Sequence, residues 1–468
     1  MSRSDYDIVI GLEIHAELNT NTKIFCGCPN KFGVSPNTNC CPVCVGMPGA
    51  LPVPNKKAVE LTIKAGLSVD SIINDMAVFE RKNYFYPDLS KAYQISQLVK
   101  PICLGGGITL DSGKFIRLNR IHLEEDAGKL IHSFDETEID YNRGGVPLIE
   151  SVTEPDISSA EEALEFLTKL RNRFVFSDVA KCRMEQGGMR CDVNLSVKPK
   201  GSAVFGTRTE MKNLNSFKAV ARAIEYEAGR QMDALDRGEV ILQETRKWDD
   251  ERGISFSLRT KTDSQDYRYF PDPDLLSIRI DRELVDKLKA ELPLSQEERR
   301  AKYEGEYGLP TADAEILSSS KVVSDFFDDC VKLLPEYKEV ANWVMTEILK
   351  LDVAESVPMT AENLVSIIKM MLDKKITRQN AKELLGKVLE TGEAAEVLAK
   401  KMDMLSNISS DDIVTLIDKL IAENEKAVAD YSKTPDKVTQ FFIGQVMRAT
   451  RGKADGAMVK AIVEKKLG

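Results

Sequence analysis

The sequence predicts an α+β protein with a strand-rich first part and a helical second part. Up to about residue 292, short stretches of alternating apolar and polar residues are separated by turn-forming glycines and prolines, a pattern typical of strands. From ELPLSQEERR onward, apolar residues recur three and four positions apart and the Gly-rich turns stop, which indicates amphipathic helices. We expect three domains, at 1–292, 293–406 and, as a small all-α tail, 407–468.

Composition limits what this chain of 468 residues can be. It is too long for one hydrophobic core, so two or three domains are expected. A net charge of −10 excludes a generic basic coat for nucleic acid, but not one local basic face. No apolar run approaches the roughly 18 residues that a membrane span needs, and Asp5 and Asp7 interrupt any signal-peptide core. We therefore expect a cytoplasmic protein with no membrane partner.

The elements of the first part follow from periodicity. In DIVIGLEIHAEL the apolar side chains of Ile8, Ile10, Leu12 and Ile14 fall on one side, which predicts a half-buried strand with Glu13, His15 and Glu17 on the opposite face. AEEALEFLTKLRNRFVFS reads as a helix with Ser158 and Ser159 as candidate N-caps, and another helix follows NLNSF. The helices of the second part include ANWVMTEILK, ITRQNAKELLGKVLE, SSDDIVTLIDKLIAE and KVTQFFIGQVMRATRG.

Five of the nine cysteines fall in FCGCPNKFGVSPNTNCCPVC. Cys26 and Cys28 form one short knuckle, and Cys41 and Cys44 form another after a loop. In a reducing compartment this spacing is typical of a structural zinc site with four thiolate ligands and no open position for chemistry. Cys40 adjoins Cys41 and is left out of the set. The alternative is a group of ordinary buried thiols.

Acidic and polar residues gather at predicted strand ends and beside glycine pairs. They are Glu13, His15, Glu124, Glu125, Asp126, Glu150, Glu154, Asp192 and Asn194. Oxygen ligands in this number suit magnesium, and magnesium with acids suits phosphoryl transfer from ATP. The alternative is that these acids are simply solvated. No Walker A sequence is present. His122 and His132 are interpreted as structural or surface residues.

Two further stretches combine positive charge with other functional groups. RKNYFYPDLSKAYQISQ interleaves cations with aromatic rings, which suits a nucleic-acid end held by stacking and charge; a strand pair with core aromatics is the alternative. DYRYFPDPDL has the same character. TRTEMKNLNSF offers Arg208, Glu210 and Lys212 just before a helix start, where anions often bind.

Long motifs along the whole chain resemble a known family. They include GLEIHAEL, CPVCVGMPGALPVPN, RKNYFYPDLSKAYQISQ, HLEEDAGK, NRGGVPLIE, MRCDVNLSV, EMKNLNSF, DYRYFPDPDL, ANWVMTEIL, KITRQNAKE and GQVMRATRGKA. In order and content they are similar to GatB, the transferase component of the aspartyl/glutamyl-tRNA amidotransferases. The resemblance implies an α+β cradle with the active site, a helical domain and a tail domain that binds tRNA.

The resemblance also implies a reaction. ATP phosphorylates the side-chain carboxylate of misacylated Glu-tRNA(Gln) or Asp-tRNA(Asn), and ammonia then displaces the phosphate to leave an amide. A separate amidase subunit would supply the ammonia from glutamine, and a small third subunit would complete a heterotrimer. Such an enzyme is a carbon–nitrogen ligase that uses ATP, Mg²⁺ and, here, a structural Zn²⁺.

The matching motifs imply roles for individual residues. Magnesium ligands are expected at Glu13, His15, Glu125 and Glu150, and Lys82 is expected near the reacting groups. The implied substrate-binding residues are Tyr84, Tyr86, Lys91, Tyr93, Glu124, Asp192, Arg208 and Lys212. The final 36 residues carry eight Lys/Arg against three Asp/Glu, and the tRNA contacts implied there are Arg448, Arg451 and Lys453.

Two other functions stay open from the sequence. Lys261-Thr262 replaces the Lys-Glu pair frequent in the family, so a tRNA-binding or scaffolding paralogue without phosphoryl transfer is one alternative. An ATP-dependent ligase acting on a free small acid is another. The basic tail argues against the small-acid ligase, because a small substrate needs no such arm.

Overall fold

The computed structural model describes residues 3–260, 267–405, 410–450, 454 and 456–467. Lys261-Thr262, Arg451 and Lys453 lie outside the described residues. The chain divides into two compact units, Met1–Ser295 and Gln296–Gly468. The first unit holds the strands and the second is helical, so the predicted α+β class is confirmed.

The elements of the first unit are strands with four helices. The strands are β1 (Tyr6–Glu17), β2 (Ile72–Ile73), β3 (Met76–Ala77), β4 (Glu80–Asn83), β5 (Tyr93–Ser96), β6 (Cys103–Leu104), β7 (Gly107–Thr109), β8 (Phe115–Glu125), β9 (Lys129–His132), β10 (Thr137–Asp140), β11 (Pro147–Thr153), β12 (Met189–Pro199), β13 (Thr209–Leu214), β14 (Glu244–Asp249), β15 (Ile254–Thr260), β16 (Phe270–Pro271) and β17 (Ile278–Arg279). The helices are α1 (Lys56–Leu67), α2 (Ala160–Phe176), α3 (Phe217–Asp236) and α4 (Arg282–Ala290).

A ten-stranded sheet organises the first unit. Its strand order is β15-β14-β13-β12-β1-β11-β8-β6-β2, with β7 paired to β8. The pairs are antiparallel except β13 with β14, which run parallel. Central β1 therefore lies between β12 and β11, and β8 follows β11. This order brings sequence segments more than 100 residues apart to adjacent strands.

One face of this sheet builds the core. On β1, Ile10, Leu12 and Ile14 are buried, as the alternating pattern predicts. They share one hydrophobic cluster with residues of α2 and α3. Ser159 and Ser216 cap these two helices, because their side chains accept hydrogen bonds from backbone N–H groups three residues on. With helices covering one face, the polar side chains of β1 point to the other.

The second unit is built from helices with two separate cores. They are α5 (Gln296–Gly305), α6 (Thr311–Ser318), α7 (Lys321–Leu333), α8 (Tyr337–Trp343), α9 (Ala361–Leu372), α10 (Arg378–Thr391), α11 (Ala395–Lys401), α12 (Ser410–Glu423), α13 (Glu425–Ala429), α14 (Pro435–Ala449) and α15 (Gly456–Leu467). One core runs from Tyr303 to Met404, and a smaller one joins α12, α14 and α15. The three-domain division stays a prediction. Across the described residues, no helix has both the length and the apolar content to cross a membrane.

Candidate active site and metal centres

The sheet register places the predicted acids and histidines on one face. His15 on β1 lies directly opposite Glu150 on β11, and Glu150 lies opposite His122 on β8. On the other side of β1, Glu13 lies opposite Asp192 of β12. Directly opposed residues of antiparallel strands point to the same face. Residues scattered from 13 to 192 therefore meet over the middle of the sheet.

A cavity of about 910 Å³ opens over this face. Its charged and aromatic lining residues are Glu13, His15, Lys82, Tyr84, Asp88, Arg120, His122, Glu124, Asp126, Glu150, Arg190, Asp192, Arg208, Glu210, Lys212, Tyr267 and Tyr269. More acidic than basic side chains line the cavity. Among the basic ones, Lys82, Arg120 and Arg208 have no ion pair with any described residue. The cavity can therefore hold metal cations together with an anionic substrate.

The first acid cluster joins three strands. His15 Nε2 lies 3.3 Å from Glu124 Oε1 and 3.3 Å from Glu150 Oε2. One ligand atom from each of these residues lies within 4.8 Å of the others. Two carboxylates are hard ligands suited to magnesium, and the imidazole nitrogen widens the choice to divalent transition metals. The cluster therefore fits a divalent cation.

His122 lies beside the same two carboxylates. Its Nε2 is 3.6 Å from Glu124 Oε2 and 3.5 Å from Glu150 Oε2, and its side chain is buried. Arg120 Nε donates to His122 Nδ1 at 3.4 Å. Since a guanidinium only donates, the His122 proton belongs on Nε2, facing the carboxylates. His122 thus orients the acid pair, a role that its interpretation as a structural residue did not specify.

Electrostatics in this cluster favour positive charge. Burial lowers the pKa of His15, but the Glu124 and Glu150 carboxylates more than offset burial and raise it to about 10. Burial raises the pKa of Glu150, but the neighbouring imidazoles of His122 and His15 outweigh it and lower the pKa to about 2. Without a metal, an imidazolium proton therefore supplies the cation that the carboxylates need.

This competition between proton and metal gives a pH prediction. The His15 pKa is raised, so the ion pairs stabilise the metal-free protein fully below about pH 6.5 and lose this contribution as the pH rises through about 10. A divalent cation must displace that proton. We expect Mn²⁺ affinity, measured by EPR titration, to rise by up to about tenfold per pH unit between pH 7 and 10.

The matched variant for this test is His15→Gln. It removes the titrating proton and one ligand atom, so Mn²⁺ binding should weaken and lose its dependence on pH in that range. A wild-type affinity that stays constant from pH 7 to 10 would contradict the competition between proton and metal.

A second acid cluster lies on the other side of β1. Ligand atoms of Glu13, Asp192 and Glu210 lie within 4.8 Å of one another. Asn194 Nδ2 donates to Glu13 Oε1 at 2.9 Å. Lys212 Nζ lies 2.6 Å from Asp192 Oδ2 and 3.0 Å from Glu210 Oε1. Burial and the neighbouring acids raise the pKa of Glu13. This cluster too is built to hold positive charge, here that of a lysine.

Glu125 lies apart from both clusters. Its carboxylate accepts hydrogen bonds from Lys91 Nζ at 2.5 and 2.6 Å and from the Ile95 N–H at 2.9 Å. The structure instead brings its neighbour Glu124 to His15 and Glu150. Of the four magnesium ligands expected from the sequence, His15 and Glu150 therefore meet in the first cluster, Glu13 lies in the second, and Glu125 lies in neither. Lys91 and Glu125 form a buried ion pair close to the cavity.

The predicted aromatic residues separate into two groups. Tyr84 lines the cavity with Tyr267, and Lys82 Nζ lies 4.7 Å from the centre of the Tyr267 ring. Tyr93 instead packs under Arg81, whose guanidinium lies 4.1 Å from the ring centre, and Tyr86 is 58% exposed. The wall of the cavity is therefore formed by Tyr84, Tyr267 and Lys82.

Several lining residues were missing from the sequence-based set. Arg120 and Arg190 were not predicted as site residues. Glu210 was predicted only as part of an anion site, and Tyr267 only as part of a stretch that combines cations with aromatic rings. The alternation of side chains along a strand could have indicated both arginines, because residues two positions apart share a face. Arg120 shares a face with His122, and Arg190 shares a face with Asp192. Arg208 and Lys212 line the cavity, and their role in substrate binding stays a prediction. Arg448 is exposed near the end of α14.

The four predicted thiols converge in a separate loop. Sulfur atoms of Cys26, Cys28, Cys41 and Cys44 lie within 4.8 Å of one another. Hydrogen bonds from Cys26 and from the Cys41 N–H, helped by Lys23, lower the pKa of the Cys44 thiol to about 4 despite burial. Four convergent sulfurs, one already inclined to ionise, fit a tetrahedral zinc ion.

The thiol loop also supports the cavity wall. Ser90 Oγ donates to the Cys44 carbonyl at 2.9 Å, and Gly46 (φ +68°) lies so close to Lys91 that a Cβ there would meet Lys91 Cγ at 2.8 Å. Lys91 in turn holds Glu125. The position of the loop therefore bears on the segment between β4 and β5, which carries Tyr84.

Fold and site together define an α+β enzyme component with an acid-lined cavity that fits divalent cations and a separate helical unit at the C-terminal side of the chain. Family comparisons agree: the model described as the GatB/GatE catalytic domain matches residues 8–286, and the GatB domain matches residues 325–467. The chain is 46% identical to the B subunit of aspartyl/glutamyl-tRNA(Asn/Gln) amidotransferase from Caldicellulosiruptor bescii, with 99% of each chain covered. Identity is 45% to the protein of that name from a Thermoanaerobacter species, again over 99% of each chain.

The chain therefore belongs to the GatB family of amidotransferase subunits. The resemblance noted in the sequence is confirmed over nearly the whole length. The expectation of a carbon–nitrogen ligase is confirmed at the level of the family, whose relatives carry the name amidotransferase.

Proposed function

We propose that this chain is the component that phosphorylates and amidates the amino acid on misacylated Glu-tRNA(Gln) or Asp-tRNA(Asn). The observation that carries the proposal is the pair of acid clusters on one sheet face, beneath a cavity with three cations that have no described ion-pair partner. Acids that hold divalent cations and cations that hold anions are the two requirements of phosphoryl transfer. The relatives are named for an amidotransferase of this substrate class.

The chemistry needs an activated carboxyl group. A carboxylate oxygen of the substrate attacks the γ-phosphorus of ATP, which releases ADP and forms an acyl phosphate. Ammonia then attacks the carbonyl carbon, inorganic phosphate leaves, and a proton is lost from nitrogen. Phosphorylation is required because oxide is not a viable leaving group.

The chain's own residues have distinct tasks in these steps. Divalent cations, when bound, neutralise phosphate charge, and His15, Glu124 and Glu150 would hold one of them. Glu13, Asp192 and Glu210 would hold the cation that accompanies the nucleotide, after Lys212 turns from the acids to the phosphates. Lys82, Arg120 and Arg208 would bind anionic groups of the substrates.

The aromatic wall would receive the end of the tRNA. Tyr84 and Tyr267 offer ring faces beside Lys82, which suits a terminal base and its phosphate. We also propose that the chain works in the cytoplasm with an amidase subunit and a small third subunit, since the relatives are named as one component of a larger enzyme.

The test is a transamidation assay. The chain is purified with its amidase and small partner proteins and given misacylated tRNA, ATP, Mg²⁺ and glutamine, and the released amino acids are separated. Formation of Gln or Asn together with ADP supports the proposal. Binding of tRNA without any ATP hydrolysis or amide would favour a scaffolding paralogue, and turnover of a free small acid would favour the small-acid ligase.

We also propose that the four thiols hold a structural zinc ion. Cys41→Ser is then expected to lower the Tm of the protein by roughly 4–10 °C, because a few kcal/mol of stability are lost in a unit of this size. Differential scanning calorimetry and metal analysis measure both effects. Cys330→Ser, a buried thiol in the helical unit, is the control for zinc content, which should remain at that of the wild type. Equal zinc content in Cys41→Ser and wild type would contradict the assignment.

A further inference from the structure

Lys23 is a fully buried lysine beside the thiol loop, with 0% of its surface exposed. Its ammonium donates hydrogen bonds to two backbone carbonyls, those of Asn39 at 3.0 Å and Tyr141 at 3.3 Å. Within the described ranges, no carboxylate forms an ion pair with it. An ammonium removed from water without a countercharge is strongly unfavourable. A negative charge is therefore needed nearby.

The thiol cluster is the group placed to supply that charge. A Cβ built on Gly145 would lie 3.7 Å from both Cys44 Cβ and Lys23 Cδ, so the two side chains flank the same glycine. The Lys23 N–H donates to the carbonyl of Cys28 at 2.9 Å. Asn39, which accepts from the Lys23 ammonium, is next to Cys40 in the chain. The lysine thus belongs to the wall of the metal site.

We propose that Lys23 is the built-in counter-cation of a four-thiolate zinc centre. Four thiolates and one zinc ion leave two negative charges in a partly buried loop. The ammonium offsets one of them, and the thiolates in turn explain how Lys23 tolerates complete burial. Charge balance of this kind favours the thiolate form, and hence the bound metal, over protonated thiols.

A purely mechanical role for Lys23 makes a different prediction. By bonding Asn39 and Tyr141, the ammonium also ties the thiol loop to the turn before β11. Both roles predict that loss of Lys23 destabilises the loop. Only the counter-cation role predicts that the effect depends on the net charge of the metal site.

The first experiment measures zinc affinity in the full-length chain by competition with a chromophoric chelator. Lys23→Met keeps a similar length and removes the charge, and we expect zinc to bind about 10- to 100-fold more weakly. Lys31→Met, on the exposed part of the same loop, should match wild type. Wild-type affinity in Lys23→Met would overturn the proposal.

A second pair of variants tests dependence on charge. Cys28→His replaces a thiolate by a neutral imidazole, so the metal site carries one negative charge fewer. In that background the penalty of Lys23→Met should shrink to a few-fold; an undiminished penalty would leave only the mechanical role. If Lys23→Met alone fails to fold, its recovery in the Cys28→His background supports the proposal, and continued failure contradicts it.

The proposed role of Lys23 as a counter-cation rests on the proposed zinc site and is independent of the amidation chemistry. A wild-type chain that binds no zinc overturns both the zinc site and the counter-cation. Zinc binding that is unaffected by Lys23→Met contradicts the counter-cation role of Lys23 and leaves the zinc site unchallenged. Neither result depends on transamidation, which is measured separately.

Discussion

Glu150→Gln is expected to reduce transamidation by about 100- to 1,000-fold, the size of loss seen when one charged or hydrogen-bonding group is removed from a preorganised site. Glu150 Oε2 lies within 3.5 Å of both His15 and His122, so the carboxylate is shared by the two histidines. The neutral amide of glutamine keeps the shape but not the charge that attracts a divalent cation. The measurement is the rate of Gln or Asn formation at saturating ATP and tRNA.

Two matched variants sharpen this prediction. Glu161→Gln, on the exposed first turn of α2, controls for the loss of one carboxylate and should leave the rate unchanged. Binding of tRNA by Glu150→Gln should also match wild type, because the cluster faces the reacting group and not the tRNA body. A Glu150→Gln enzyme with more than about a third of wild-type activity would contradict the role of this cluster.

Glu124 and Glu125 give a further contrast in the same assay. Glu124→Gln should resemble Glu150→Gln, since both carboxylates face His15. Glu125→Gln instead breaks a buried ion pair with Lys91, so its main effect should be lower stability, by about 3–5 kcal/mol, from the lysine left without a partner. Thermal unfolding and activity therefore separate the two neighbours.

This pair also shows where sequence reasoning stops. Neighbouring residues on a strand point to opposite faces, so only one of Glu124 and Glu125 can share the face of His122. Which face carries the site is not readable from HLEED, because β8 is buried on both sides from Ile121 onward. The choice depends on pairing with β11, a strand some 25 residues away, and on the elements that cover each face.

Other parts of the site were readable because their signals are local. The alternation in β1 fixed the shared face of Glu13 and His15, and the knuckle spacing predicted the convergence of four thiols. Glu210 was not readable as a partner of Glu13 and Asp192, because its place follows from the pairing of β13 with β12. Long-range register is set by the packing of the whole sheet.

Ending the chain after Leu405 is expected to raise the KM for tRNA at least about tenfold while the kcat changes little. The residues beyond this point build their own small core, with Val438, Phe442 and Val446 of α14 buried against α12 and α15. The larger helical core, from Tyr303 to Met404, stays complete without it. The truncation therefore removes the basic end of the chain and leaves the acid-lined cavity intact.

The salt dependence of tRNA binding is a stricter test of the role of the C-terminal residues. Phosphate contacts make tRNA binding depend on salt, and each lost contact reduces the slope of log affinity against log salt by about one. Arg448→Glu, on the exposed side of α14, should weaken tRNA binding and flatten this slope, whereas Lys400→Glu on α11 should do neither. If the truncated enzyme keeps the wild-type KM for tRNA and the wild-type salt slope, the tail is not the tRNA-binding arm. The contacts to the tRNA body must then come from residues before the truncation point.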